Sequence, residues 1–294
     1  MSRIDGIDIS KWQGDIEWGK IPSQVKFIIA KASQYNWADS KFHKNWSEIK
    51  ENGFIRGAYH LIHLNEDIQE QVNFYLDLVP FEQGDLPPFL DVETSKIDAA
   101  ESPERAHAGI LEWLQTVEQR IGGKPLLYIS PRGVRHLEGH TEGLNEYGLW
   151  DVHYIDPYED AADREPNLPE TFTEWVFWQY TSSGPGEEWG MESNGLDLDY
   201  FDGSLEQLIL LANSIQWEGD MLLTPPEALE AAQYNESRGY TLRQTHRIFD
   251  LVKVTNPWDS VHVANKIAEW QQAQGLTPDG KIGNKTVEKM TEFL

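Results

Sequence analysis

The sequence predicts an α/β protein: an irregular β/α (TIM-like) barrel followed by a second, small all-α domain. Three observations carry that expectation. Short apolar runs rich in β-branched and aromatic residues alternate with amphipathic stretches over the first two-thirds of the chain, the signature of parallel β/α units. Eight such runs fall within about two hundred residues, the size of a small closed barrel. Near Asn213 the pattern changes to helical periodicity alone.

The strands are expected at Ile4–Ile9, Phe27–Ala32, Arg56–Ile62, Phe89–Val92, Leu126–Ile129, Leu149–Tyr154, Val176–Tyr180 and Leu196–Phe201. Between the early ones lie helices. Phe42, Trp46 and Ile49 share a face and precede Gly53, a helix stop. Val72, Tyr75, Leu76 and Val79 recur at spacings of three and four. Ser102-Pro103-Glu104 opens a third helix with a serine cap and a first-turn proline, and Gly122-Gly123 closes it. From Pro131 onward the connections lose helical periodicity, so the barrel should carry fewer helices than strands. An open doubly wound sheet fits less well, because Ile9-Ser10-Lys11-Trp12 is not a glycine-rich phosphate loop. The expected domains are a barrel over 1–213, a linker over 214–226 that ends at Pro225-Pro226, and a helical domain over 227–294. In that domain the helices are expected at Glu227–Asn235, Leu242–Val252, Val261–Gln274 and Asn284–Phe293, with a turn-rich loop at Gly275–Gly280.

Composition narrows the function. The formal net charge is −25, from 49 acidic and 24 basic residues, so no positive footprint for nucleic acid is visible. There are no cysteines, which rules out disulfides, thiolate chemistry and a cysteine zinc site. No apolar run is long enough to cross a bilayer, and Met1–Ser10 does not read as a secretory leader. His136 and His140 have a spacing that suits a metal but no obvious third ligand, so no metal and no cofactor is expected. Twelve tryptophans and eleven tyrosines leave room for sugar-stacking surfaces.

Barrel enzymes place their chemistry at the C-terminal ends of the strands. Asp8, Lys31, Tyr59, His60, Asp91, Glu93, Tyr128, Trp150, Tyr154, Trp178, Gln179 and Asp197 all fall near those ends. Asp91 and Glu93 are two apart on one strand and so point to one face. Two like charges in a partly dry site cannot both ionise cheaply, so one should hold its proton. Such an acid can protonate a glycosidic oxygen while the other steadies positive charge on the sugar. His60 and Lys31 read equally well as structural residues, and Trp12, Trp150 and Trp178 as core or as stacking platforms.

These residues also resemble a known family. Gly6-Ile7-Asp8-Ile9-Ser10-Lys11-Trp12-Gln13-Gly14, Ile28–Ser33, Gly57-Ala58-Tyr59-His60, Leu90-Asp91-Val92-Glu93, Trp178–Ser182 and Leu196–Phe201 follow the order of motifs in glycoside hydrolase family 25, the Ch-type lysozymes. The resemblance covers about residues 4–205. It implies hydrolysis of the β-1,4 bond between N-acetylmuramic acid and N-acetylglucosamine. It implies Glu93 as proton donor, Asp91 as stabilising carboxylate, and Asp8 and Asp197 as flanking carboxylates. Tyr59, Trp150, Tyr154, Trp178 and Gln179 would line the groove, with His60, Tyr128 and Trp12 as further contacts. Covalent, inverting and substrate-assisted routes stay open. The sequence departs from the family at Asp199, where asparagine is expected, and at Asp151-Val152-His153, which replaces a plainer apolar stretch. Ala268–Thr286 resembles the peptidoglycan-binding domain found beside many wall hydrolases. The expected partner is bacterial peptidoglycan, met as a monomer without nucleic acid or membrane, after release by lysis, carriage in a particle or dedicated export. A non-catalytic wall-glycan binder and a hydrolase of chitin-like polymers are the alternatives.

Overall fold

A computed structural model describes residues 3–215, 223, 225–240, 245, 248–249, 251–252 and 260–293. The chain divides into two compact units, 1–81 with 86–204, and 82–85 with 205–294.

The first unit is a closed eight-stranded barrel. Its strands are β1 (Arg3–Ile9), β2 (Val25–Gln34), β4 (Ile55–Leu61), β5 (Phe89–Val92), β6 (Leu126–Ile129), β7 (Gly148–Val152), β8 (Phe177–Pro185) and β9 (Gly195–Asp202). A two-residue strand, β3 (Trp37–Ala38), is appended to β2. The sheet order β1-β9-β8-β7-β6-β5-β4-β2 closes through a parallel β1–β2 pairing. Neighbours from β2 through β8 are parallel. The last strand departs from the expected parallel scheme: β9 runs antiparallel to both β8 and β1. No helix separates β8 from β9; a short turn at Gly186–Asn194 reverses the chain, and a reversed chain can pair only antiparallel. The reversal brings the start of β9, with Asp197 opposite Asp8, to the rim where the other strands end.

Alternation assigns the two faces of the wall. Ile7, Ile9, Ile28, Ala30, Leu90, Val92, Leu127, Ile129 and Leu149 point outward into the helix layer. That layer includes α1 (Phe42–Glu51), α2 (Ile68–Leu78) and α4 (Pro103–Ile121), with short α3 (Thr94–Asp98) and α5 (Pro131–His136). In α4, Ala106, Gly109, Ile110, Trp113, Leu114 and Val117 form one buried stripe at spacings of three and four. Ser102 accepts from the Arg105 amide at its start, and Gly122, at φ 70°, ends it, as its sequence signals imply. Each large apolar side chain buried this way contributes roughly 1.5–3 kcal/mol.

The inward face is aromatic at its base. Phe177 packs edge-on against Phe27 at 5.1 Å and Phe89 at 5.4 Å, and tilted against Phe201 at 5.3 Å. Gly6 makes room for this plug, since a Cβ there would meet the Phe27 ring at 2.2 Å. The barrel is therefore filled below, and only its upper rim is free for chemistry.

The second unit is helical: α6 (Leu205–Ala212), α7 (Pro225–Ser237), α8 (Ser260–Ala273) and α9 (Asn284–Thr291). α6 belongs to this unit, although the sequence pattern groups residues to 213 with the barrel. The Pro225-Pro226 pair opens α7 rather than preceding it, because first-turn positions need no amide hydrogen. Of the expected helix Leu242–Val252, residues 242–244, 246–247 and 250 lie outside the described residues, as do 216–222 and 224 of the expected linker. The loop at 275–283 is clasped by two amides. Gln271 Nε2 donates to Asp279 Oδ1, Lys281 O and Thr286 Oγ1, and Gln271 Oε1 accepts from the Gly280 amide. Asn235 bridges Gly280 O and the Ile282 amide.

Candidate active site

The upper rim gathers inward-pointing side chains from six of the eight barrel strands. β1 supplies Asp8, β4 Tyr59, β5 Asp91, β6 Tyr128, β8 Gln179, and β9 Asp197 and Asp199. Asp8, Asp199 and Gln179 are buried; Asp91 and Asp197 are half-buried. Glu93, one step above Asp91 on the same face, is exposed, and Ser95 Oγ donates to its Oε2 at 3.1 Å.

One amide organises the floor. Gln179 Oε1 accepts from the hydroxyls of Tyr128 and Tyr154, both at 2.9 Å, and Gln179 Nε2 donates to Asp8 Oδ2 at 2.6 Å. Trp150 stands beneath, edge-on to Tyr128 at 4.8 Å, and its indole donates to Asp199 Oδ1 at 2.8 Å. Lys31 enters from β2, donates to Gln34 Oε1 at 3.1 Å and reaches 5.9 Å from the Tyr59 ring centre.

Burial dominates the electrostatics. It pushes the Asp91 carboxyl well above the usual range, and the Glu93 charge adds to the rise while Lys31 and Lys96 oppose it. Asp8 is raised well above by burial, then by the charges of Asp197 and Asp199, with the Gln179 bond opposing. Asp199 rises well above by burial, opposed chiefly by the Trp150 bond. Asp197 is pushed up to about 6 by burial. Burial lowers Lys31, and the charges of Asp91 and Glu93 oppose that fall.

Two expected contacts turn to the outer face of the wall. His60 points outward and is fully buried, with Nδ1 paired to Ser33 Oγ at 2.8 Å, Nε2 to Gln71 Oε1 at 3.2 Å, and its ring stacked on Trp113. Burial lowers it to about 3, so it stays neutral in the helix layer. Trp178 also points outward, donating to His153 O and packing on Trp175 and Tyr180. Both are neighbours in sequence of true floor residues, Tyr59 and Gln179, and one step along a strand exchanges faces. Trp150 does face inward but is only 2% exposed, so it supports the floor and has no surface for a sugar. Trp12 is 72% exposed on the turn after β1, with Lys11 Nζ 5.0 Å from its ring centre. In the sequence Asp199 reads as the far end of the last strand, near the same rim, and as a departure from the family, without a role in the site. The alternation Asp197-Leu198-Asp199 was the available signal, since residues two apart on β9 share the inward face.

Comparison with known proteins places both parts of the chain in known families. Residues 7–189 match the sequence model of "Glycosyl hydrolases family 25", and residues 258–290 match that of "Putative peptidoglycan binding domain". Protein YegX of Escherichia coli O6:H1 is 34% identical over 215 residues, covering 70% of this chain and 72% of YegX. Lysozyme M1 of Streptomyces globisporus is 27% identical over 223 residues, with 72% of each chain covered. The crystal structure of the bacterial lysozyme from Streptomyces coelicolor superposes with a TM-score of 0.63 at 25% identity, covering 73% of this chain and 99% of that one.

Proposed function

The chain belongs to glycosyl hydrolases family 25, and on that premise we propose that it is a muramidase cleaving the β-1,4 bond between N-acetylmuramic acid and N-acetylglucosamine in peptidoglycan. The carrying observation is the division of labour on one strand end: Asp91 is half-buried with Oδ1 shielded, and Glu93 is exposed two residues above it. Glu93 is the group a bridging sugar oxygen can reach, and it acts as the general acid. Asp91, below, is ionised when the proton of the pair sits on Glu93, and it then steadies the N-acetyl group or the positive charge that grows on the ring as the bond breaks. Asp8 and Asp197 flank the reacting sugar. Tyr59, Tyr128 and Tyr154 supply hydroxyl contacts around it, and Tyr154, 49% exposed, is the most accessible of them.

The helical unit acts as a tether. It encloses a cavity of about 340 Å³ lined by Asn235, Tyr240, Ile248, Phe249, Ile267 and Ile282, a concave surface that a wall fragment can enter. Holding wall near the barrel raises the local substrate concentration without altering the chemistry.

Purified peptidoglycan tests the proposal. Digestion should lower turbidity and release fragments whose reducing ends are N-acetylmuramic acid by mass spectrometry. Reducing ends of N-acetylglucosamine alone, or faster cleavage of chitin oligomers than of wall, would reject the bond assignment.

A further inference from the structure

We infer that Asp8 and Asp199 share one proton beneath the reacting sugar, which makes Asp199 a positioning residue. The shared proton fixes the direction of the Asp8 carboxyl and gives the pair one negative charge instead of two. The inference rests on the proposed wall-hydrolase reading for its kinetic part only.

The argument is a count of donors. Asp199 is fully buried. Its Oδ1 takes the Trp150 indole hydrogen, and its Oδ2 is buried with no hydrogen-bond donor. The Asp8 carboxyl lies within hydrogen-bonding reach of the same side chain. Asp8 Oδ2 already takes the Gln179 amide hydrogen at 2.6 Å. Gln179 cannot turn to serve Asp199, because its Oε1 holds the hydroxyls of Tyr128 and Tyr154. Trp150 has a single donor, and it is used.

Among the described residues, the hydrogen left to join the two carboxyls is one that they carry themselves. Left doubly ionised, the pair would bury two like charges at contact distance and leave an acceptor unsatisfied, each of which costs free energy. One proton between them removes both penalties.

Among the described residues, the charged groups acting on the pair include no cation to replace that proton. The titratable groups acting on Asp8 and Asp199 are Asp197 from β9 and Asp91 from β5. The phenols of Tyr59 on β4, Tyr128 on β6 and Tyr154 after β7 in turn feel the Asp8 charge. Lys31 on β2 acts on Asp91 instead. Burial and these carboxylates both favour keeping the proton. Asp199 touches no substrate; it acts through Asp8. Loss of the proton at alkaline pH would put a second charge under the sugar and free the Asp8 carboxyl to rotate.

Three variants test this. In Asp199→Asn the side-chain amide replaces the shared proton as donor to an ionised Asp8, and its oxygen still accepts from Trp150. Asp199→Leu keeps the volume and removes both bonds. Infrared difference spectra at neutral pH should show one protonated-carboxyl stretch in the wild type that Asp199→Asn lacks. Asp8→Asn should lack the same stretch, which keeps the test open if one variant folds poorly. On purified wall, Asp199→Leu should lower kcat about tenfold or more with little change in KM, as expected for a misaimed group. Asp199→Asn should recover most of that loss and keep its rate to higher pH than the wild type. An unchanged infrared band in both Asn variants would overturn the shared proton. An Asp199→Asn enzyme with the wild-type alkaline limb, or as impaired as Asp199→Leu, would overturn the positioning role. If the wild type cleaves no wall glycan, the functional proposal fails, and the infrared result still decides the proton.

Discussion

Two sets of buried carboxylates stand on opposite faces of the same barrel wall, and their neighbours treat them differently. On the inner rim, Asp8 and Asp199 are held by donors from Gln179 and Trp150. On the outer face, Asp151 of β7 is fully buried, and among the described residues no side chain donates to either of its oxygens. Burial raises both sets, and Asp151 reaches about 7, softened only by the nearby Val152 backbone. The difference teaches that a raised carboxyl does not by itself mark a working site. What marks the rim is convergence: donors aimed at the carboxyls and an open side where Glu93 meets solvent. The comparison predicts that inner-face changes alter chemistry, and outer-face changes alter stability.

The largest effect should come from Glu93→Gln, which keeps shape and removes the transferable proton. A general acid contributes roughly 10²–10⁴-fold, so wall lysis should fall by about 10³-fold with an unchanged melting temperature. Near-wild-type turbidity clearance in that variant would remove Glu93 from the reaction. Asp91→Asn comes next, with a loss of about 10²-fold in kcat, the scale of one electrostatic contact made in the transition state. Its KM on soluble wall fragments should move far less than kcat.

His60→Ala tests the outer face. It takes a stacked ring from Trp113 and the partner from Ser33 Oγ, and it removes one contact of Gln71 Oε1, which keeps the His63 amide. The expected cost is about 2–3 kcal/mol in denaturant unfolding, with kcat of the folded enzyme unchanged. A kcat loss without a stability loss would put His60 back among the functional residues.

Asp151 gives a smaller effect whose sign depends on pH. The unfolded chain releases this proton near the ordinary value of 3.8, and the folded chain holds it to about 7. The stability linked to this group is therefore complete below about pH 4 and declines as pH rises toward about 7. Asp151→Asn cannot ionise. Its melting temperature relative to wild type should rise by a few degrees between pH 5 and pH 8. Parallel wild-type and variant curves over that range would show that Asp151 is not the buried acid described.

Much of this was legible in the sequence because periodicity of two reports which residues share a face. Asp91 with Glu93, the Phe89–Val92 and Leu126–Ile129 strands, and the Ser102 and Gly122 ends of α4 follow from local rules. The same rule does not report which face is inside. Tyr59-His60 and Trp178-Gln179 each offer two polar or aromatic residues, and only the closed sheet decides that Tyr59 and Gln179 turn inward. The antiparallel entry of β9 was also hidden, since strand direction depends on a reversal at Gly186–Asn194 that carries no periodic signal. Asp151 reads in the sequence only as a departure from the family, and its parity on β7, opposite to that of Trp150, places it on the outer face.

The smallest effect separates these buried carboxylates from the charge on the surface. The chain carries a net −25, and most of its 49 acidic residues lie where salt can screen them. An anionic wall repels such a surface, and raising ionic strength from about 0.01 M to 0.15 M shortens the screening length from about 30 Å to about 8 Å. Wall lysis should then quicken by about two- to threefold through a lower KM. The buried rim is shielded from the added ions, so kcat and the pH limbs should hold. A rate that only falls over that range would mean that repulsion does not limit encounter. A shift of the pH limbs with salt would mean that the rim carboxylates are wetter than their burial implies, which would erase the contrast between the two faces of the wall.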